Sequence, residues 1–189
     1  MSRTSISASF TFSWLSHDSW SESYVGTRRL TYDILPAPTA HTNAEESALC
    51  QLALIGANHL MEVALYKALL PHAKANSTNS RLTEALLDDA SYYHMLTKWL
   101  PAASGKSVDL NSEPFVSTER LRRRRNDTIH KTSALATVEM ARSALFSSVA
   151  GTREVFAIAD QPFPYEPVLK KFSLPSEDLF SSVSFPRGA

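Results

Sequence analysis

Cysteine is nearly missing from this chain. Cys50 is the single thiol in 189 residues, and it sits in an apolar run. One thiol excludes an intrachain disulfide framework and a cysteine-based zinc site, and it suits a reducing cytosol. Net charge is also missing: 19 Lys and Arg balance 19 Asp and Glu. Any affinity for nucleic acid must therefore come from local clustering, not from the overall field. No apolar run approaches the ~20 residues that span a bilayer. The start of the chain (Met1, Ser2, Arg3, then Ser and Thr alternating with Ile and Phe) lacks the continuous apolar core of a signal peptide. These absences lead us to expect a cytoplasmic protein that does not engage a membrane. A hydrophobic content of 43% with 20% charged residues is that of an ordinary globular protein, one domain with room for appendages.

What is present is organised in three parts. In residues 1–40, positions 5–14 alternate strictly, with Ile6, Ala8, Phe10, Phe12 and Trp14 on one face and Ser or Thr on the other. Residues 28–35 partly repeat the pattern with Leu30, Tyr32 and Ile34. A period of two predicts a small N-terminal β ribbon, too small to stand alone. Residues 41–159 predict a helical domain. Thr42 or Asn43 caps a long helix over 44–70, with Glu45 and Glu46 in its first turn and Pro71 at its end. Its apolar stripe includes Leu49, Leu52, Ala53, Leu60, Val63, Tyr66 and Leu70. A second helix is expected over 81–100, closed by Pro101. A third starts near Ser117 and Thr118, and it either continues through His130 or breaks near Asn126. Helical spacing then runs from Thr128 to about Ala150, with Gly151 as a possible end. The fold class expected is all-α, an up-and-down bundle of about four helices. Residues 160–189 hold five prolines and five aromatic residues. That content predicts an extended tail wrapped on the bundle or on a partner subunit.

One stretch concentrates charge. Between Arg120 and Arg125, five of six residues are arginine, and Asn126, Asp127 and His130 follow at once. Four consecutive arginines cover every side of a helical turn, so at least one must face the protein or a partner. A buried guanidinium needs an anion, which Glu119, Asp127 or Glu139 can supply internally. A bland account, a solvated or ion-paired helix face, therefore stands beside a chemical one. Histidine can serve as base or acid near neutral pH, and arginine offers two parallel donors to phosphate oxygens. On a continuous helix, Arg125 and His130 lie about 140° apart around the axis and ~7.5 Å along it. Asn126 and His130, at i and i+4, share a face.

Arg125-Asn126-Asp127-Thr128-Ile129-His130 resembles the signature of the HEPN superfamily of small all-helical domains, an arginine followed after four to six residues by a histidine, with a polar residue after the arginine. The run from His59 to Leu70, with Glu62 and Lys67 ahead of a leucine pair, is similar to that family's first long helix. The resemblance covers about residues 44–150. It implies a metal-independent endoribonuclease without a cofactor, acting as a homodimer that brings two Arg-to-His motifs to one cleft. It places Arg125, Asn126 and His130 in the catalytic role and Arg120, Arg122, Arg123 and Arg124 on RNA phosphates, with Asp127, Glu62 and Lys67 in support. Such domains belong to toxin–antitoxin or defence systems, which implies an antitoxin or other partner protein. Some members bind RNA, nucleotides or proteins without cleaving, and that is the alternative.

Other residues have simpler accounts. His59 with Glu62, and His94 with Asp88 and Asp89, have carboxylate–histidine spacing, but the paired Glu-x-x-His pattern of a bundle metal site is missing. Gly105-Lys106-Ser107 resembles the end of a phosphate-binding loop, yet the first glycine of that motif is absent and no strand precedes it, so it is read as a turn. Trp14, Trp20 and Trp99 are expected as packing anchors, and Cys50 as a small buried apolar residue.

Overall fold

The structure, a computed structural model, describes residues 18–37, 42–76, 90–130, 135–175 and 178–184. Within these the protein is all-α, and no strand occurs among the described residues. Helix α1 is Ser19–Arg29 and continues through a wider turn, Leu30–Ile34. Helix α2 is Asn43–Ala75. The stretches Tyr92–His94, Met95–Trp99 and Leu100–Ser104 run on as one helix, α3. Helices α4 (Phe115–His130), α5 (Val138–Ile158) and α6 (Glu166–Lys171) follow, and then a single 3₁₀ turn at Phe180–Ser182.

The second strand of the expected ribbon is helix instead, and the first, at 5–14, lies outside the described residues. Trp20, Tyr24, Thr27, Thr31 and Leu35 are all buried. Their spacing of four, three, four and four is that of one helix face. Two threonines in that stripe disguise it as polar, while Ile34, which made the alternation look apolar, is 39% exposed. Asp18 caps the helix by accepting from the Trp20 N–H at 3.3 Å. Across the interface, Asp18 binds Lys67, and Thr27 packs on Gly56, so α1 runs against α2.

Helix α2 opens on a capping box: Thr42 and Glu45 exchange side-chain and backbone hydrogen bonds. Its buried stripe is Cys50, Ala53, Leu54, Ala57, Leu60, Met61, Ala64, Leu65, Ala68 and Leu69. Leu52, expected inside, is 56% exposed. The helix also passes through Pro71 to Ala75, because a proline near the end removes one hydrogen bond from a helix already held by packing. By length and composition α2 is apolar enough to cross a membrane, which the reading of short apolar runs did not anticipate. Half of its most apolar window is buried inside this protein.

Helix α5 packs along α2 more extensively than any other pair. Ala53 and Ala57 of α2 share a core cluster with Ala141 and Ala144 of α5, and Ser147, Ser148 and Gly151 of α5 are buried too. Gly151, rather than ending a helix, is a point of close approach. A Cβ there would lie 2.7 Å from Met61 Sδ and 2.8 Å from Thr118 Cγ2, so α2, α4 and α5 converge on it. The helical run expected from Thr128 to Ala150 is two helices. One ends at His130, and the other begins at Val138 under a Thr137 cap that accepts from the Met140 N–H at 3.2 Å.

Pro101 does not close α3 either. A wider turn, in which the Leu100 N–H reaches the Met95 carbonyl, precedes it, and the helix continues to a Gly105 cap at φ 70°. Of the expected helix over 81–100, residues 81–89 lie outside the described residues.

The tail packs on the helices. Tyr165 stacks on Trp20 with ring centroids 4.0 Å apart, and Phe156 and Phe163 meet Tyr165 edge-on. Gln161 donates to the Ala68 carbonyl at 2.7 Å, and the Tyr24 hydroxyl donates to the Phe172 carbonyl. Trp20, Leu60, Val155 and Tyr165 belong to one core cluster, so early, middle and late segments of the chain share it. A second cluster joins Leu35, Cys50, Leu54, Leu121, Met140 and Phe180. Burial, with a smaller push from Glu46, raises the Cys50 thiol to about 11, so this cysteine is packing material.

Candidate functional site

Helix α4 carries the arginine cluster. It runs unbroken through His130, so the break at Asn126 does not occur. Ser117 and Thr118, expected as caps, are instead interior helix residues, both buried. The Glu113 carboxylate serves the first turn by accepting from the Ser117 N–H at 3.3 Å. Phe115, Thr118 and Leu121 are buried at successive turns. From Arg122 onward no residue is fully buried, and Ile129 and His130 are exposed. The helix is therefore anchored by its first half, and its second half projects beyond the core.

The arginines divide further along the helix, between Arg124 and Arg125. The Arg120 guanidinium donates to the main-chain carbonyls of Ser181 and of Val183, the latter at 3.1 Å. The Ser117 hydroxyl accepts from the Ser181 N–H at 3.0 Å, and the Ser147 hydroxyl accepts from the Phe180 N–H at 2.8 Å. Arg120 is thus part of a clip that seats the fully buried Phe180. Arg122 makes a two-point bond to Glu119, 2.8 Å from each oxygen, and Arg123 adds a third at 2.9 Å. The Arg122 bond first, and the Arg123 bond after it, hold the Glu119 carboxyl below its usual range. Arg124 donates to the carbonyl of Leu135, the first described residue after His130. These four were expected on RNA phosphates. The structure gives each an internal acceptor, although Arg123 remains 75% exposed.

Arg125 differs. Its Nη1 donates to the Asn126 side-chain oxygen at 3.1 Å, while its Nε, like that of Arg124, is buried without a hydrogen-bond partner among the described residues. No carboxylate pairs with it among those residues. Thr128 is turned back to the Arg124 carbonyl at 3.0 Å, which leaves the end of the helix to Ile129 and the exposed His130. Asp127 makes a further interaction of its own. The structure therefore brings Arg125 and Asn126 into contact, with His130 one turn beyond.

Glu62 and Lys67 are not part of that end. They line a cavity of about 530 Å³ between α2 and the start of α3, together with Ser19, His59, Tyr66 and Tyr92. Lys67 binds Asp18 and lies 5.9 Å from the centre of the Tyr165 ring. Glu62 accepts from the Asn58 amide at 2.9 Å and faces His59 at 3.7 Å. Tyr92, to which no motif in the sequence points, connects the two regions. Its phenol is pushed up to about 12 by burial, and it lies beside Thr118 and within the fields of Glu119, Arg122 and Glu62. A smaller cavity, about 410 Å³, opens beside α4 at Leu110, Glu119, Arg120 and Arg123. Neither cavity is lined by Arg125 or His130. Among the described residues no three His, Cys, Asp or Glu side chains gather as a metal-binding group.

Of the tryptophans, Trp20 is wholly buried and donates to the Thr152 hydroxyl at 3.3 Å, and Trp99 packs against the core, both as anchors. Trp14, Asp88 and Asp89 lie outside the described residues. No protein-family model matches the chain, and neither the curated proteins nor the solved structures give a significant match.

Proposed function

We propose that this chain is an RNA-cleaving protein of HEPN type whose reactive end is Arg125, Asn126 and His130. One observation carries the reading. Arg125 is the arginine of the cluster whose described acceptor is the side chain of its own neighbour, Asn126, and not a group on another segment or a carboxylate, and it stands five residues before an exposed histidine. Glu119 and main-chain carbonyls already serve the other four. A guanidinium with no acceptor beyond its own neighbour suits a phosphate.

In this reading Arg125 holds the two non-bridging oxygens of one phosphodiester, and Asn126 fixes the plane of the guanidinium. The RNA 2′-oxygen attacks phosphorus, and its proton passes to a neutral imidazole of His130. The bond to the 5′-oxygen breaks, and that oxygen takes a proton from a second, protonated imidazole. The products are a 2′,3′-cyclic phosphate and a 5′-hydroxyl end. Two imidazoles imply two copies of the chain, and so a homodimer with paired motifs. A helix C-terminus carries a partial negative charge, so phosphate binding there depends on Arg125 and on the basic turn before it. The bundle of this reading is made of α2, α3, α4 and α5, the helices within residues 44–150 and just beyond, and its setting is a toxin–antitoxin or defence system with a protein partner.

The test is cleavage of single-stranded RNA in EDTA. The expected result is cleavage by the wild type and none by His130→Ala, while that variant still binds RNA. Equal activity of the two would end the nuclease reading. One observation favours the non-catalytic alternative: neither Arg125 nor His130 lines either of the two cavities described above. RNA binding that weakens in Arg125→Ala, without cleavage by any variant, would establish that binding role.

A further inference from the structure

The cavity between α2 and α3 has no part in RNA cleavage as proposed, and its chemistry is readable on its own. Its volume, about 530 Å³, is that of a small-molecule site. Val63, Tyr66, Tyr92 and Met95 supply an apolar and aromatic wall, and Ser19, His59, Glu62, Lys67 and Ser91 supply polar atoms.

Charge decides what such a site takes. On α1, Asp18 is bound to Lys67, to Ser21 and to its own helix N-terminus, and Lys67 and Ser21 hold it ionised against the opposing effect of partial burial. Lys67 is thereby spent: its ammonium lies between the Asp18 carboxylate and the Tyr165 ring. Behind Tyr92, on α4, Glu119 is neutralised by Arg122 and Arg123. The two helix N-termini at the rim would attract an anion, but both are already capped, α1 by the Asp18 carboxylate and α3 by the Ser91 hydroxyl, which accepts from the His94 N–H at 3.3 Å. What remains is Glu62, a carboxylate 35% exposed, whose hydrogen bond comes from the neutral Asn58 amide and whose second oxygen faces the His59 ring.

A carboxylate held by no lysine or arginine, with a neutral amide and a half-exposed imidazole as its neighbours and set among tyrosines and a thioether, recognises a positive charge on an apolar body. We propose that this cavity binds a small organic cation, an ammonium carried on an aromatic or aliphatic skeleton. The ammonium pairs with Glu62, and the skeleton lies against Tyr66, Tyr92, Val63 and Met95. The site stands whether or not the chain cleaves RNA.

The experiment is calorimetric titration of the full chain with tyramine and, separately, with 3-(4-hydroxyphenyl)propionate, which has the same ring and a carboxylate in place of the amine. Tyramine should bind with Kd below about 1 mM, and the propionate should give no detectable heat. Glu62→Gln, checked for an unchanged circular dichroism spectrum, should weaken tyramine by about 10-fold or more. Val63→Phe, which fills the cavity, should abolish binding and serves as the deciding variant if Glu62→Gln is misfolded. Absence of tyramine binding, equal binding of the propionate, or undiminished binding to the deciding variant would overturn the proposal.

Discussion

The two halves of α4 both carry arginines but have opposite surroundings. Arg120 and Arg122 work inward, on tail carbonyls and on Glu119, over a face where Phe115, Thr118 and Leu121 are buried. Arg125 and His130 stand on the half with no fully buried residue, and Arg125 meets only a neutral amide among the described residues. Charge density alone therefore says little about a basic run. What separates a structural arginine from an available one is whether an acceptor is already in place. The inner half should carry stability, and the outer half should carry chemistry.

The largest stability effect should come from the residue that the inner half clips in place. Phe180→Ala removes a fully buried ring from the second core cluster and should cost about 3–5 kcal/mol, read from urea unfolding. A loss below about 1 kcal/mol would mean that the tail is not part of the fold. Next is Arg120→Ala, which strips the donors from two tail carbonyls and should cost about 1–3 kcal/mol. Arg125→Ala, by contrast, should stay within about 0.5 kcal/mol, as for a surface substitution. If the two arginine variants were equally destabilised, the division of the helix would fail.

A smaller effect follows from Glu119. The bond from Arg122 lowers its folded pKa below the unfolded value. Its contribution is therefore present above the unfolded carboxyl range, near pH ~4.3, and is lost as pH falls through the lowered folded value. Urea midpoints measured downward from pH 6 should decline on this limb for the wild type. In Glu119→Gln they should start lower and decline less. An identical acid limb in the two proteins would remove Glu119 from the account.

The sequence made some of this legible. The Thr42–Glu45 capping box sits where its residue types predict, because a cap is a local device. The all-α class follows from the long spacings of α2 and α5. Glu119, three and four residues before Arg122 and Arg123, was visible as an internal anion because helix neighbours can be counted. The acceptors of Arg120 were not visible, since they are carbonyls some sixty positions away with no side-chain signature. Helix α1 was hidden for a different reason. Thr27 and Thr31 are buried in its inward stripe, and a period count that treats threonine as polar finds an alternation in its place. Pro71 and Pro101 misled as stop signals because tertiary packing and a wider turn absorb a missing donor.

The most direct test compares RNA cleavage by Arg125→Ala and Arg122→Ala, each assayed in EDTA at an equal folded fraction. The account predicts that Arg125→Ala loses cleavage while Arg122→Ala, whose charge is already held by Glu119, keeps most of it. Loss of cleavage in Arg122→Ala with activity retained in Arg125→Ala would contradict it.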